Sequence, residues 1–144
     1  MYEYEYNLDA AASPEATYAL LQDVRTWSTW DKGVESVELY GPFAAATKGK
    51  IKLFGQEPLD FRLTRVDPNR GFADETPIPD AGIAVIFNHI LTPQPDGRTR
   101  ITWQVKITGP AAEEVGPQMG PAITADTPEA VASLAQLAQS TSVR

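Results

Sequence analysis

The chain has 144 residues, no cysteine, a single histidine and a formal net charge of -7 at pH 7. This length predicts one domain, which we place at residues 1–140 and follow with a frayed end at 141–144. Without cysteine the chain can hold no disulfide and no thiolate metal site, and one histidine excludes a histidine-rich site. We expect neither a metal nor another cofactor.

The charge pattern also narrows the choice of partners. Lys and Arg are scattered through an acidic chain, which argues against binding to nucleic acid or to an anionic membrane surface. The start "MYEYEYNLD" lacks the features of a signal peptide, and no apolar run approaches the roughly 20 residues of a membrane span. The sequence predicts a cytoplasmic protein without stable membrane insertion and leaves monomer and homodimer open.

The first predicted elements are a strand and two short helices. The stretch "YEYEYNL" at 2–8 alternates aromatic and polar residues, which is typical of a half-buried strand. Ser-Pro-Glu at 13–15 suits the cap, first position and positive end of a helix. "TWSTWDKG" at 26–33 predicts a second short helix that ends at the glycine. The apolar stripe predicted for the first helix consists of Ala16, Ala19, Leu20 and Val24.

About six further strands are predicted up to residue 109, and the tight turns between the later strands favour an antiparallel sheet. "GIAVIFNHIL" at 82–91 is apolar on both faces, so its inward face stays open. After Gly109-Pro110 the apolar spacing changes to three and four residues, which indicates a long C-terminal helix. Its Gly-Pro pairs predict bends, and Thr127-Pro128 predicts a restart. Strands that are separate from one long helix favour the α+β class.

Three stretches and the C-terminal helix resemble the START-like, helix-grip (SRPBCC) superfamily of polyketide cyclase/dehydrase and lipid-transport domains. The stretches are "ASPEATYALLQDVRTWSTWDKGVESVELYGPF" at 12–43, "FRLTRVDPNRGF" at 61–72 and "IFNHILTPQPDGRTRITWQVKITGP" at 86–110. The resemblance implies a curved antiparallel sheet of about seven strands, wrapped around the long helix with an apolar cavity between them. It also implies small hydrophobic ligands such as lipids, polyketides or other ring compounds.

A cavity also follows from the side chains themselves. Large residues on the inward strand positions face small residues on the helix, and this arrangement either packs solidly or leaves a pocket. Together with the resemblance it favours the pocket. We predict that the pocket wall consists of Trp27, Trp30, Leu53, Phe61, Leu63, Val85, Phe87, His89, Trp103, Val105, Met119 and Ile123.

His89 is the main candidate for chemistry. By alternation it shares a strand face with Val85 and Phe87, where it could bind a ligand or act as a general acid–base. The alternative is a structural histidine that is satisfied by its neighbours. The sequence predicts a binding protein for a small hydrophobic molecule, with a polyketide cyclase or dehydratase as the alternative. A third possibility, a protein-interaction module, would need an exposed aromatic patch.

Overall fold

The computed structural model describes residues 2–142, so the predicted frayed end at 141–144 lies partly outside the described residues. Seven strands form one antiparallel sheet in the order β1-β7-β6-β5-β4-β3-β2. This arrangement confirms the predicted α+β architecture. The strands are β1 (Tyr2–Ala10), β2 (Val34–Leu39), β3 (Lys48–Leu53), β4 (Leu59–Asp67), β5 (Gly71–Ile78), β6 (Ile83–Pro93) and β7 (Thr99–Thr108).

Four α-helices complete the fold. They are α1 (Pro14–Gln22), α2 (Trp27–Trp30), α3 (Ala112–Thr124) and α4 (Thr127–Ser142). None of the helices within residues 2–142 has the length and apolar character needed to cross a membrane. The bounds of α1 and α2 confirm the short helices predicted after the first strand, and the C-terminal helix restarts at Thr127 as predicted.

The start of α1 follows the predicted cap, but its buried face does not follow the predicted stripe. The Ser13 hydroxyl accepts a hydrogen bond from the Ala16 N–H at 3.0 Å. Of the predicted stripe, Ala19 is exposed, whereas Leu20 and Val24 are partly buried and pack against the core. Thr17 lies on the buried face of this helix although it is polar, because its hydroxyl donates a hydrogen bond to the Ser13 carbonyl at 2.9 Å. The buried residues of α1 are Pro14, Thr17, Tyr18 and Leu21.

Two glycines bring α3 close to the sheet edge. A Cβ atom placed on Gly120 would lie 2.4 Å from the ring of Tyr2, and one on Gly116 would lie 2.9 Å from the Tyr2 Cβ. The Tyr2 hydroxyl is also 3.3 Å from the Thr124 hydroxyl. Because only glycine leaves room for this ring, the Gly-Pro pairs hold α3 against β1, at one end of the sheet.

The buried apolar residues form two clusters instead of one. The larger cluster packs β1, β4–β7, α1, α2 and α4 together and includes Trp27, Trp30, Phe72 and Leu134. The smaller cluster lies beside α3 and consists of Ile83, Val85, Val105, Ile107 and Ala112. Residues of both clusters face the space between the sheet and α3, and this space holds the candidate site.

Candidate functional site

A cavity of about 570 Å³ lies between the inner face of the sheet, α3 and the beginning of α4. Its volume falls within the range of roughly 300–1,000 Å³ that is usual for small-molecule sites. Strands β3 to β7 supply one wall, and α2 closes one side with two tryptophans. The lining from α3 and the start of α4 consists of Gln118, Met119, Ala122, Ile123, Thr127 and Ala130.

The structure places ten of the twelve predicted residues at the cavity wall. Leu63 and Val105 do not line it, because both are almost fully buried in the core at 0% and 1% exposure. Ligand contact remains a prediction for all twelve. The residues at the wall are Trp27, Trp30, Leu53, Phe61, Val85, Phe87, His89, Trp103, Met119 and Ile123.

Trp27 and Trp30 form part of the wall and are not exposed at an entrance. Trp27 stacks on Phe72 with ring centroids 5.7 Å apart, and Trp30 meets the edge of Trp103 at 5.6 Å. The Trp27 indole N–H donates to a backbone carbonyl of α1 at 2.9 Å, which fixes the ring. Both side chains are buried, so the aromatic side chain exposed at the cavity is Phe54, at 61%.

His89 points inward, which resolves the open face of β6. Its ring stacks on Phe72 at 4.2 Å and meets the edge of Trp103 at 4.7 Å. Burial lowers the His89 pKa to about 3; the Phe72 backbone opposes this shift, and the Arg65 charge adds to it. The imidazole is thus uncharged at pH 7, and its Nδ1 atom has no hydrogen-bond partner among the described residues. Such a group is a weak base, which argues against the predicted acid–base role.

Among the lining residues that the sequence analysis did not predict, Asp74 is the one with the most strongly altered chemistry. It is 6% exposed on β5, where Phe72 and Thr76 share its face. Burial raises the pKa of this carboxyl to about 8. The signal available in the sequence was strict alternation along the strand, which places Asp74 on the same face as Phe72. It was overlooked because the proline of "GFADETPI" made the strand uncertain and because a carboxylate is expected to face water.

Two more carboxyl groups lie at the cavity, on Asp31 and Asp126. Burial raises the Asp31 pKa; the hydrogen bond from the Gly33 N–H opposes this shift, and the Asp126 charge adds to it. The lining therefore contains three carboxyl groups and neither Lys nor Arg. Within residues 2–142 no three His, Asp or Glu side chains are grouped so that they could hold a metal ion.

Three solved structures have a fold similar to that of this chain. Ara h 8.0201 has a TM-score of 0.76 at 11% identity, with 96% of this chain and 98% of that chain covered. TTHA0849 from Thermus thermophilus has a TM-score of 0.72 at 16% identity, covering 97% and 99%. Norcoclaurine synthase from Thalictrum flavum, in complex with dopamine and hydroxybenzaldehyde, has a TM-score of 0.68 at 16% identity, covering 94% and 84%. At these identities the likeness shows the fold alone.

The family match rests on the sequence. No curated protein sequence matches the chain significantly. The family model for polyketide cyclase/dehydrase and lipid transport, however, matches residues 1–139. That match spans nearly the whole chain, and the sheet and C-terminal helices agree with the helix-grip fold. The chain therefore belongs to the polyketide cyclase/dehydrase and lipid-transport family.

Proposed function

We propose that the chain binds a small, mainly apolar molecule, such as a lipid, a polyketide or another ring compound, in the cavity. The observation that carries this proposal is the cavity of about 570 Å³ with its aromatic wall. The solved complex of norcoclaurine synthase with dopamine and hydroxybenzaldehyde supports it, because that protein has the same fold.

The expected affinity depends on how much apolar ligand surface the cavity can bury. A ligand that buries about 300 Å² of apolar surface gains about 8 kcal/mol, before the cost of losing its freedom of motion. Dissociation constants in the micromolar range or weaker therefore follow. The three carboxyl groups of the lining and the absence of Lys and Arg from it favour uncharged compounds over fatty-acid anions.

Tryptophan fluorescence is a direct readout of binding, because all three tryptophans of the chain line the cavity. We expect saturable quenching by menadione, a neutral naphthoquinone, and weaker quenching by palmitate. Quinones, steroids, aromatic polyketides and fatty acids form the wider panel. Thr76→Phe places a ring into the cavity from β5, and we expect it to weaken menadione binding at least tenfold.

The matched control is Thr92→Phe, which makes the same change at an exposed position of β6 that does not line the cavity. Its binding should stay within twofold of wild type, and N-acetyltryptophanamide corrects for light absorbed by the quinone. The proposal fails if no compound of the panel quenches saturably, or if Thr76→Phe and Thr92→Phe bind menadione equally well.

A cyclase- or dehydratase-like reaction in the same cavity is the second candidate function. The sequence analysis assigned its proton transfer to His89, whose lowered pKa makes the imidazole unsuitable near neutral pH. The observation that favours a reaction is instead Asp74, a carboxyl group at the wall that titrates close to neutrality.

A further inference from the structure

The Asp74 carboxyl group has no structural task that the described residues reveal. Asp74 is 94% buried, yet within residues 2–142 neither a hydrogen bond nor an ion pair of its carboxyl group is found, and burial is the one cause of its raised pKa. Its strand neighbours are apolar on the inward face: Leu63 is its partner on β4 and Phe87 its partner on β6. A buried acid without a partner destabilises a fold, so packing alone does not account for it.

The charged groups around Asp74 leave it free to exchange a proton. His89 on β6 is uncharged near neutral pH, and the inward residues of β4 carry no charge. Across the cavity α3 contributes Gln118, Met119, Ala122 and Ile123, which are uncharged. The remaining ionisable groups of the lining are Asp31, after α2, and Asp126, before α4. No cation of the lining therefore holds Asp74 ionised.

A hydrogen-bond donor without a partner lies on the same face of the sheet. The Trp103 indole nitrogen is buried and has no hydrogen-bond partner among the described residues. Trp103 lines the cavity on β7, directly opposite His89 of β6. Strand β6 therefore lies between Trp103 and β5. An indole N–H only donates, so a ligand that satisfies it must present an acceptor such as a carbonyl oxygen.

We propose that Asp74 is a general acid–base that moves a proton at a carbon next to a carbonyl group, in a ring compound held in the cavity. This inference rests on the proposed function, because it needs a bound ligand. The substrate class that fits is an uncharged cyclic ketone or a related carbonyl compound. Its apolar ring would contact the aromatic wall, and its oxygen would accept from the Trp103 N–H.

The chemistry needs no cofactor. The Asp74 carboxylate takes a proton from the carbon beside the carbonyl group, and the electron pair of that C–H bond forms a carbon–carbon double bond. The π pair of the carbonyl group moves to its oxygen, which gives an enolate. The protonated Asp74 then returns the proton to the same carbon or to a conjugated one, so atoms and charge balance. Such positioned proton transfer is worth roughly 10²–10⁴-fold in rate.

The test uses 5-nitrobenzisoxazole, a small neutral aromatic probe for a general base. A base removes its ring C–H proton, that electron pair completes the nitrile, and the N–O bond breaks to give a coloured phenolate. We expect wild type to accelerate this elimination, with a rate that rises with pH around a midpoint near the Asp74 pKa of about 8. Asp74→Asn should lower the rate at pH 9 by at least about 100-fold.

Two variants guard the interpretation. Asp74→Glu keeps a carboxyl group and should retain part of the rate with a shifted midpoint. Asp80→Asn, the same change at an exposed residue that does not line the cavity, should behave as wild type. Equal rates for wild type and Asp74→Asn, measured while menadione still quenches the tryptophans of both, overturn this inference and leave the proposed function standing. If no ligand quenches the tryptophans of wild type, the proposed function is wrong, and this inference is wrong with it.

Discussion

Replacing Asp74 by asparagine is expected to make the protein more stable at alkaline pH. The unfolded chain ionises this carboxyl near its ordinary pKa of 3.8, whereas burial raises the pKa in the folded protein to about 8. Between these values the folded state holds one proton more at Asp74, so the contribution of this group to stability falls as pH rises. Each pKa unit is worth about 1.4 kcal/mol, so we expect Asp74→Asn to gain about 5 kcal/mol relative to wild type between pH 4 and pH 9.

Urea unfolding at half-unit pH steps measures this gain. The comparison between pH values is the informative quantity, because the cost of burying an asparagine amide is the same at every pH. Asp31, whose pKa burial also raises, leaves a smaller residual slope in the variant. Asp80→Asn serves as the control and should keep the wild-type profile. A wild-type stability that does not decline between pH 6.5 and 9 would show that Asp74 is not buried as described.

Replacing His89 by glutamine is expected to change the acid side of the same profile. The unfolded histidine binds a proton near its ordinary pKa of 6.5, but burial lowers the folded value to about 3. Between these values the unfolded state holds the extra proton, so His89 makes the folded state less stable as pH falls. Relative to wild type, His89→Gln should therefore gain about 2 kcal/mol between pH 6.5 and pH 4.5.

Asp74 and His89 change the stability in opposite directions over the pH range in which both contribute. In wild type they cancel between about pH 4 and 6.5, so the stability should be nearly flat there and decline above 6.5. His89→Gln alone should expose a decline from pH 4 to 8, and the double variant with Asp74→Asn should keep only the smaller slope that comes from Asp31. The chain has one histidine, so no other imidazole can produce this acid slope. An unchanged profile in His89→Gln would place this ring in contact with water.

Much of the fold follows from short-range rules in the sequence. The alternation of Tyr2, Tyr4 and Tyr6 against Glu3 and Glu5 appears as the exposure pattern of β1, and β7 keeps its predicted inward face. Alternation also placed His89 on the same face of β6 as Val85, and the structure shows that this face is the inner one. These predictions succeed because a pleated strand turns successive side chains to opposite faces, whatever the rest of the chain does.

The site was harder to predict because it depends on how elements fit together. Nothing local shows that Gly116 and Gly120 face Tyr2 and hold α3 over β1, so the extent of the empty space could not be derived. The same limit explains why Leu63 was placed at the wall, although it is buried in the core. Asp74 was missed for a different reason, since rules about polarity place a carboxyl group outward except where function or strain opposes them.

The central claim is that the space between the sheet and the C-terminal helices takes up a ligand, and the three indole N–H signals test it most directly. In a ¹H–¹⁵N NMR titration with menadione, we predict saturable shifts of all three signals, since Trp27, Trp30 and Trp103 line the cavity. The shift of Trp103 should be the largest, because its indole N–H has no hydrogen-bond partner in the free protein and would gain one from the ligand oxygen. Shifts confined to surface amides, with the three indole signals unmoved by any compound of the panel, would contradict the account.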